Sequence, residues 1–376
     1  MSMVSLPGLR AIIDSMSRER NLPQSVVQDA LREALLKGYE RYRRLQSVSQ
    51  PQYKEDEFRN FQVELNLEAE GFRVLAIRTV VEKVANPDSE VAIDGVPVHL
   101  APAELGDSIV VDVTPEQGEF GRLAALQTKQ VLTQKLQEEQ CRLIREQFQE
   151  LRGTVLPARV VRLDRKGIVM GISSGLGKPE VEAELPNYEK LHQDNYQVDG
   201  VFKVYLKKVY ETPRSGPQLR VSRATTGLVA GILTEAVPEI QQEIVQIVSV
   251  ARDSIPSSPT VAPLSKIAVD TQQPDLDPIA TCMGEGGERL QTAVSELRGE
   301  KIELVRWSAD PATFIARALA PAQVKEVRVL DPQECLAEAI VPAGQLPLAL
   351  GQEKQNLKLA ARLTGWTIEV TAAADS

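Results

Sequence analysis

Histidine is nearly missing from this chain, with two copies, His99 and His192, in 376 residues. Neither stands in a Ser/His/Asp or Cys/His pattern, so nucleophilic catalysis of those kinds has nothing to rest on. His99 follows the alternating Val96 and Val98 and reads as a strand-edge residue. Cysteine is as sparse: Cys141, Cys282 and Cys335 are too scattered for a disulfide framework or a metal-ligand spacing. No apolar run reaches the roughly 18 residues that a spanning helix needs, and the start at Met1 lacks the pattern of a secretory signal. Aromatic residues make up 4% of the chain, which leaves few platforms for stacking a nucleobase. The run from Gly171 to Lys178 has the wrong first spacing for a phosphate loop, and Pro179 stands where a hydroxyl residue belongs, so it reads as an ordinary loop. Asp275 and Asp277 are too short a carboxylate pair for a calcium loop. A net charge of −9 argues against indiscriminate polyanion binding. The expectation is a soluble, cytoplasmic protein with no catalytic residues, no metal and no cofactor, which acts by contact.

What the chain does have is a repeat. Gly284, Glu285, Gly286 and Gly287 follow an apolar approach and lead into a helix pattern stopped by Gly299, then a β-branched strand at 301–305. The same order returns 67 residues later: Gly351, Gln352, Glu353 and Lys354, a helix pattern stopped by Gly365, and a strand at 366–370. Two copies of one helix–strand unit match the KH pattern, in which a Gly-led loop clamps the nucleic-acid backbone. Glycine accepts positive φ and lets phosphate approach the amides of the next helix N-terminus. The expected RNA contacts are Gly284, Glu285, Gly286, Gly287, Arg289 and Gln291 in the first copy. In the second they are Gly351, Gln352, Lys354, Gln355, Asn356, Lys358 and Arg362.

Both loops depart from a good clamp. Glu285 sets an acid at the first tip, and Lys354 replaces the last glycine of the second loop. Lysine tolerates positive φ poorly, so that turn is expected to be reshaped. Weak or altered RNA contact is expected, with compensation from Arg289 and Gln291 in one copy and Lys354, Lys358 and Arg362 in the other. Residues 238–376 hold 12 Lys and Arg against 19 Asp and Glu, so affinity must come from local basic patches and fall with salt.

Upstream, five β-rich runs at 154–163, 167–172, 180–185, 200–209 and 218–222 read as a small Greek-key barrel. Residues 151–224 carry 13 Lys and Arg against 8 Asp and Glu, a basic island in an acidic chain. Arg159, Arg162, Arg165, Lys166, Arg220 and Arg223 are the expected RNA contacts, joined by Lys207 and Lys208; Phe202, Tyr205 and Tyr210 are the candidate stacking rings. A merely solvated basic surface is the competing reading.

The first 130 residues or so mix helix and strand. An amphipathic helix is expected over 22–46, with Pro23 early and Ser25 as its cap. Its C-terminal turn holds Lys37, Arg41, Arg43 and Arg44, cations that complement the helix dipole. Strands are expected at 62–67, 72–81, 90–93 and 108–113, and a long helix from about Gly121 to Gln149 then leads to the barrel.

This order of parts resembles the NusA family of bacterial transcription elongation factors. The carrying motifs are EFGRLAA at 119–125 with KQV at 129–131, VPEI at 237–240, SKIAV at 265–269 and DP at 277–278. The others are ELRGEKI at 296–302, ADPATFI at 309–315 and QNLKLAARLTGW at 355–366. The resemblance implies a multidomain α+β fold: an α/β N-terminal domain with a long linking helix (1–150), an S1-type OB β-barrel (151–224) and two tandem type II KH domains (225–320 and 321–376). It implies a factor that modulates pausing, termination and antitermination. The implied partners are the RNA polymerase core, nascent single-stranded RNA and other Nus-type antitermination factors, with no membrane and a monomeric state. Lys37, Arg41, Arg43 and Arg44 become candidate polymerase contacts. Because the chain ends at Ser376, a short form without the family's acidic C-terminal repeats is expected.

Two rival readings stand beside it. One is a protein-interaction scaffold with degenerate KH loops; there Glu285→Arg or Lys354→Gly changes nothing, whereas in an RNA binder either change strengthens binding. The other is an accessory factor for RNA processing or degradation. Phosphorolytic exoribonucleases with such modules place KH before the barrel, behind a large catalytic core, and this chain has neither feature.

Overall fold

The computed structural model describes residues 3–46, 58–96, 103–116, 120, 122–213, 216–256, 258 and 260–373. His99 with Val98, Gly121 at the expected helix start, part of the 119–125 motif and the turn residues 214–215 lie outside the described residues. The chain forms two compact units, Met1–Ile144 and Arg145–Ser376.

In the first unit, helices α1 (Leu9–Arg20) and α2 (Gln24–Gln46) pack on a sheet of β1 (Val4–Ser5), β2 (Phe61–Asn66), β3 (Gly71–Val81), β4 (Glu90–Ala92) and β5 (Ser108–Asp112). β3 is the spine: β1, β2 and β5 pair with it antiparallel and β4 parallel. The α2 stripe Val27, Leu31, Leu35, Tyr39 and Tyr42 recurs at helical spacing and is buried against Phe61, Phe72 and Val74. Each such side chain contributes about 1.5–3 kcal/mol by leaving water. The Tyr39 hydroxyl donates to the Val113 carbonyl (3.3 Å), and burial pushes its phenol up.

Two expectations change here. Helix α1 is additional: Leu9, Ile13 and Met16 line its inner face, and Asn21 in the left-handed region (φ 53°) closes it. The start of α2 also moves. Val27 N–H bonds to the Pro23 carbonyl (3.2 Å), which puts Ser25 inside the first turn instead of at the cap. The long helix α3 (Arg122–Phe148) follows, with Leu132 and Leu136 in the same core.

In the second unit, β6 (Val155–Asp164), β7 (Gly167–Ile172), β8 (Val181–Pro186), β9 (Val201–Val209) and β10 (Leu219–Ser222) close into a barrel in the order β10-β8-β7-β6-β9. Period-two alternation sends Ala158, Val160, Ala183, Leu185, Val204 and Leu206 inward. The five expected runs all appear, each within one residue of its expected ends. After β7 the run through Lys178 is a loop, with the Ser173 hydroxyl donating to the Gly175 carbonyl (2.6 Å).

The first KH domain comprises α4 (Thr226–Ala236), α5 (Pro238–Gln241), β11 (Val245–Asp253), β12 (Leu264–Thr271), α6 (Pro278–Met283), α7 (Glu288–Glu296) and β13 (Lys301–Arg306). The second repeats the plan in α8 (Pro311–Ala318), β14 (Glu326–Asp331), β15 (Leu336–Val341), α9 (Leu346–Leu350), α10 (Gln355–Thr364) and β16 (Thr367–Ala372). In both, the middle strand runs antiparallel to the first and parallel to the last, the type II arrangement. Asp277 and Asp310 cap α6 and α8 through the amides of Ile279 (3.0 Å) and Thr313 (2.9 Å), each just before a proline at the first helical position.

Polar locks join these domains. Arg223 sits in a buried bidentate pair with Asp194 (2.6 and 3.0 Å) and reaches the Glu296 carbonyl across the barrel–KH boundary (3.2 Å). Arg252 pairs with Glu300 (2.8 and 2.7 Å) and donates to the carbonyls of Arg223 and Thr225. Between the KH domains, the Ser249 hydroxyl donates to the Leu363 carbonyl (2.8 Å), and one apolar cluster runs from Ala251 and Val305 to Leu359 and Ile368.

Candidate nucleic-acid interface

The two Gly-led loops share one backbone. Gly284 and Gly351 have φ/ψ of 74°/178° and 71°/176°. The third positions, Gly286 and Glu353, are left-handed at φ 60° and 48°, and the fourth, Gly287 and Lys354, at 82° and 61°. The expected reshaping of the second loop is therefore a correction. Lysine is forced into the glycine conformation, and the packing around the loop holds it there. A Cβ on Gly351 would meet the Asn356 backbone nitrogen at 2.8 Å, and one on Gly284 would meet Arg289 Cγ at 2.7 Å. The first glycine is thus fixed by space as well as by dihedral angle.

The residue five places after that glycine is a brace in both copies. Asn356 is buried and its Nδ2 donates to the carbonyls of Leu319, Leu348 and Ala349, each at 3.1 Å. Arg289 Nη1 donates to the Thr281 carbonyl (2.9 Å) and pairs with Glu239 (2.7 Å). Gln355 Nε2 is bound to Asp253 Oδ2 and the Ala262 carbonyl, both at 3.0 Å. The hydrogen bonds of these three expected RNA contacts hold the loops and domains together; Asn356 is buried, while Arg289 and Gln355 stay partly exposed. Behind the first loop, burial pushes the Cys282 thiol up to about 11, so it stays an unreactive thiol.

What faces solvent differs sharply between the copies. The first loop shows Glu285 and Gly286, followed by Glu288 and Gln291 on α7. The second shows Gln352, Glu353 and Lys354, followed by Lys358 and Arg362 on α10. The last three bases stand four residues apart on one helix face, exposed and without an ion-pair partner among the described residues.

On the barrel the expected bases separate into three groups. Arg165 and Lys166 are exposed at the β6–β7 turn with no ion-pair partner among the described residues. Arg159 is bridged to Glu180 (2.6 Å) and Asp199 (2.7 Å), and Arg162 to Glu182 (2.5 Å), so their charge is largely balanced locally. Arg223 is buried and cannot reach RNA, a correction that follows from its role as interdomain lock. Arg220 touches Glu184 only at 3.4 Å. Of the expected rings, Phe202 is buried and Tyr205 abuts Gly227, where a Cβ would meet the ring at 2.4 Å; Tyr210 remains half-exposed beside Lys208 and Arg220. The sequence reading passes over Tyr188, an exposed ring in the turn after β8, whose only signal was an aromatic in a polar segment after a strand.

Comparison with known proteins agrees with this layout. Residues 8–142 match the NusA N-terminal domain, 223–307 the NusA-like first KH domain and 311–376 the NusA-like second KH domain. The transcription termination/antitermination protein NusA of Bacillus subtilis is 36% identical over 361 residues, covering 96% of this chain and 90% of that protein. The chain belongs to the NusA family. The NusA of Thermus thermophilus is 35% identical over 367 residues, 96% of this chain and 89% of that protein. A solution structure of the B. subtilis NusA N-terminal domain is 28% identical, with a TM-score of 0.26, and covers 35% of this chain and 94% of that one.

In the NusA N-terminal unit, the α2 cations do not form one patch. Lys37, Arg41 and Arg44 recur along one face, while Arg43 turns into a bridge with the nearly buried Asp88 (2.6 Å). Lys37 pairs with Glu40 (3.0 Å), and the Arg44 guanidinium lies 6.0 Å from the centre of the Phe58 ring. Among the described residues, no helix is long and apolar enough to cross a membrane.

Proposed function

We propose that this chain is a transcription termination and antitermination factor that docks the RNA polymerase core through its N-terminal unit and holds nascent single-stranded RNA on the second unit. The functional division is read as the sequence segments 1–150, 151–224, 225–320 and 321–376, with 311–320 joining the second KH domain, a reading supported by the family match over 311–376 and by Phe314 and Ile315 sharing an apolar cluster with Leu359, Leu363 and Ile368. The factor acts as a monomer in the cytoplasm, without catalysis, and other Nus-type antitermination factors are its further partners. The observation that carries the RNA reading is the exposed stripe Lys354, Lys358 and Arg362, without ion-pair partners among the described residues, beside a loop that keeps its clamp geometry. Phosphate approaches the loop amides while the stripe neutralises the flanking backbone. On the polymerase side, Lys37, Arg41 and Arg44 are the contacts, and Arg43 supports them through Asp88.

The first KH domain takes a different role. Arg289 beside its loop is paired with Glu239 and the loop tip is acidic, which favours a bracing module that sets the position of the second. The test is anisotropy of a single-stranded RNA with the full chain. Lys358→Glu with Arg362→Glu weakens binding, and the slope of log affinity on log salt, about −2 for three neutralised phosphates, flattens toward zero. Binding that ignores both the substitutions and salt would sink the assignment.

A further inference from the structure

We propose that the outer sheet face of the second KH domain is a docking surface for a basic amphipathic helix of a protein partner, separate from the RNA contacts above. The first KH domain shows how such a face is used. Ile267, Val269 and Ile302 point into that domain's own core, so the alternate residues of β11, β12 and β13 point the other way. There Ala251, Ala268 and Val305 are covered by Phe314 and Ile315 of α8 and by Leu359 and Leu363 of α10. Lys266 is fully buried under this cover, cross-strand from Glu303, and its Nζ donates to Glu303 (2.7 Å) and to the Ala320 carbonyl (2.9 Å).

The second KH domain repeats this face without a cover. Its inward strand residues are Ala337, Ala339 and Ile368, which leaves Glu326, Arg328, Glu338, Ile340, Glu369 and Thr371 on the outside. Strand register matches Lys266 with Glu338, Glu303 with Glu369, and Ala268 with Ile340. A cation facing an acid has thus become two acids facing each other, an unfavourable cross-strand pair. Arg328 lies cross-strand from Glu338 but forms its ion pair with Glu326 (2.8 Å). Glu338 accepts from the Thr371 hydroxyl (3.0 Å), and neither Glu338 nor Glu369 has an ion-pair partner among the described residues. The face is therefore one cation short, beside the half-buried apolar Leu336 and Ile340. A partner helix with an apolar stripe and a lysine or arginine at its flank supplies what α8, α10 and Lys266 supply in the first domain. Paired carboxylates repel phosphate, which argues against RNA here. A second copy of this chain has its own α8 and α10 already seated on its first KH domain.

The test uses the full chain and two labelled, helix-stabilised peptides with the same leucine and alanine stripe, one flanked by lysines and the other by glutamates. Anisotropy is followed for wild type, Glu369→Lys and Ile340→Arg. Glu369→Lys gives Glu338 a cation from within the chain, and Ile340→Arg sets a cation on the apolar centre, cross-strand from Glu326, so both are compatible with the fold. Wild type is expected to bind the lysine peptide, less tightly as salt rises, and to bind the glutamate peptide poorly. Each substitution is expected to weaken the lysine peptide about tenfold, as loss of one charge-assisted contact would, with the urea midpoint not lowered in Glu369→Lys. No binding of the lysine peptide by wild type overturns the proposal. Binding that both variants retain overturns it too, because the peptide would then sit elsewhere on this acidic chain. Self-association of wild type that Ile340→Arg abolishes replaces the partner helix by a second copy. A loss of RNA affinity in Ile340→Arg, whose added charge is positive, assigns the face to RNA and overturns the protein reading.

Discussion

Lys354 shows what one residue costs and contributes. A left-handed backbone at φ 61° is unfavourable for a lysine by about 1–2 kcal/mol, part of which a glycine would return through its larger unfolded-state freedom. Lys354→Gly should raise stability by up to about 1 kcal/mol in urea unfolding. It should also weaken RNA binding, because the clamp geometry already exists and only the charge is lost; this reverses the direction expected from sequence. Glu303 supplies a pH signature. Burial works to raise its carboxyl, but hydrogen bonds from Lys266 (2.7 Å) and Lys301 (2.6 Å) outweigh it and hold the value below the usual 4.5. Its folded value is thus lower than its unfolded one, so its contribution is complete above pH 4.5 and is lost as pH falls through the folded value. Unfolding curves from pH 7 downward should show this acid limb in the wild type and a flatter one in Glu303→Gln. At this scale the sequence displays residue type but not burial. Arg223 and Asn356 therefore look like RNA contacts until they are seen to be buried, and Arg289 until its ion pair with Glu239 is seen.

Helices α7 and α10 are the same element with different surfaces. At a spacing of 67 residues, Gln291 corresponds to Lys358 and Ser295 to Arg362, so the basic stripe exists in one copy only. Grafting it with Gln291→Lys and Ser295→Arg should strengthen RNA binding and steepen its salt dependence, since each added phosphate contact changes the slope by about −0.7. An unchanged slope would show that α7 lies off the RNA path. Most elements were legible because their signals are local: period two in the barrel strands, glycine stops after the KH helices, aspartate followed by proline at α6 and α8. Helix α1 escaped although its Leu9, Ile13, Met16 spacing was present, because its caps, Gly8 and Asn21, are left-handed residues without a hydroxyl or carboxylate start signal. The retained shape of the second loop was not legible, because it depends on Asn356 reaching three carbonyls in the adjoining elements. Interdomain locks were equally hidden. Removing one partner of the buried Arg252–Glu300 pair, as in Arg252→Ala, should cost about 3–5 kcal/mol in unfolding free energy and leave an uncompensated acid at the barrel–KH boundary.

For the molecule as a whole, charge is divided by task. The barrel segment is basic, the KH half is acidic except for its stripe, and the net charge is −9. On the function proposed above, covalent linkage would raise the effective concentration of each RNA site for one transcript. Docking on polymerase would add a further gain of the same kind. The order of the parts was visible in the sequence through motifs that span nearly its whole length, whereas the division of labour proposed for the two KH domains rests on the ion pair of Arg289 with Glu239, which the sequence does not display. The most direct test is a transcription assay with the full chain on purified core polymerase, transcribing through a terminator, with binding to the same complex followed in parallel. Wild type is predicted to bind the complex and shift the terminated fraction, while Lys354→Glu, Lys358→Glu and Arg362→Glu together keep polymerase binding but lose most of the shift. A wild type that neither binds core polymerase nor alters termination would contradict the account at its centre.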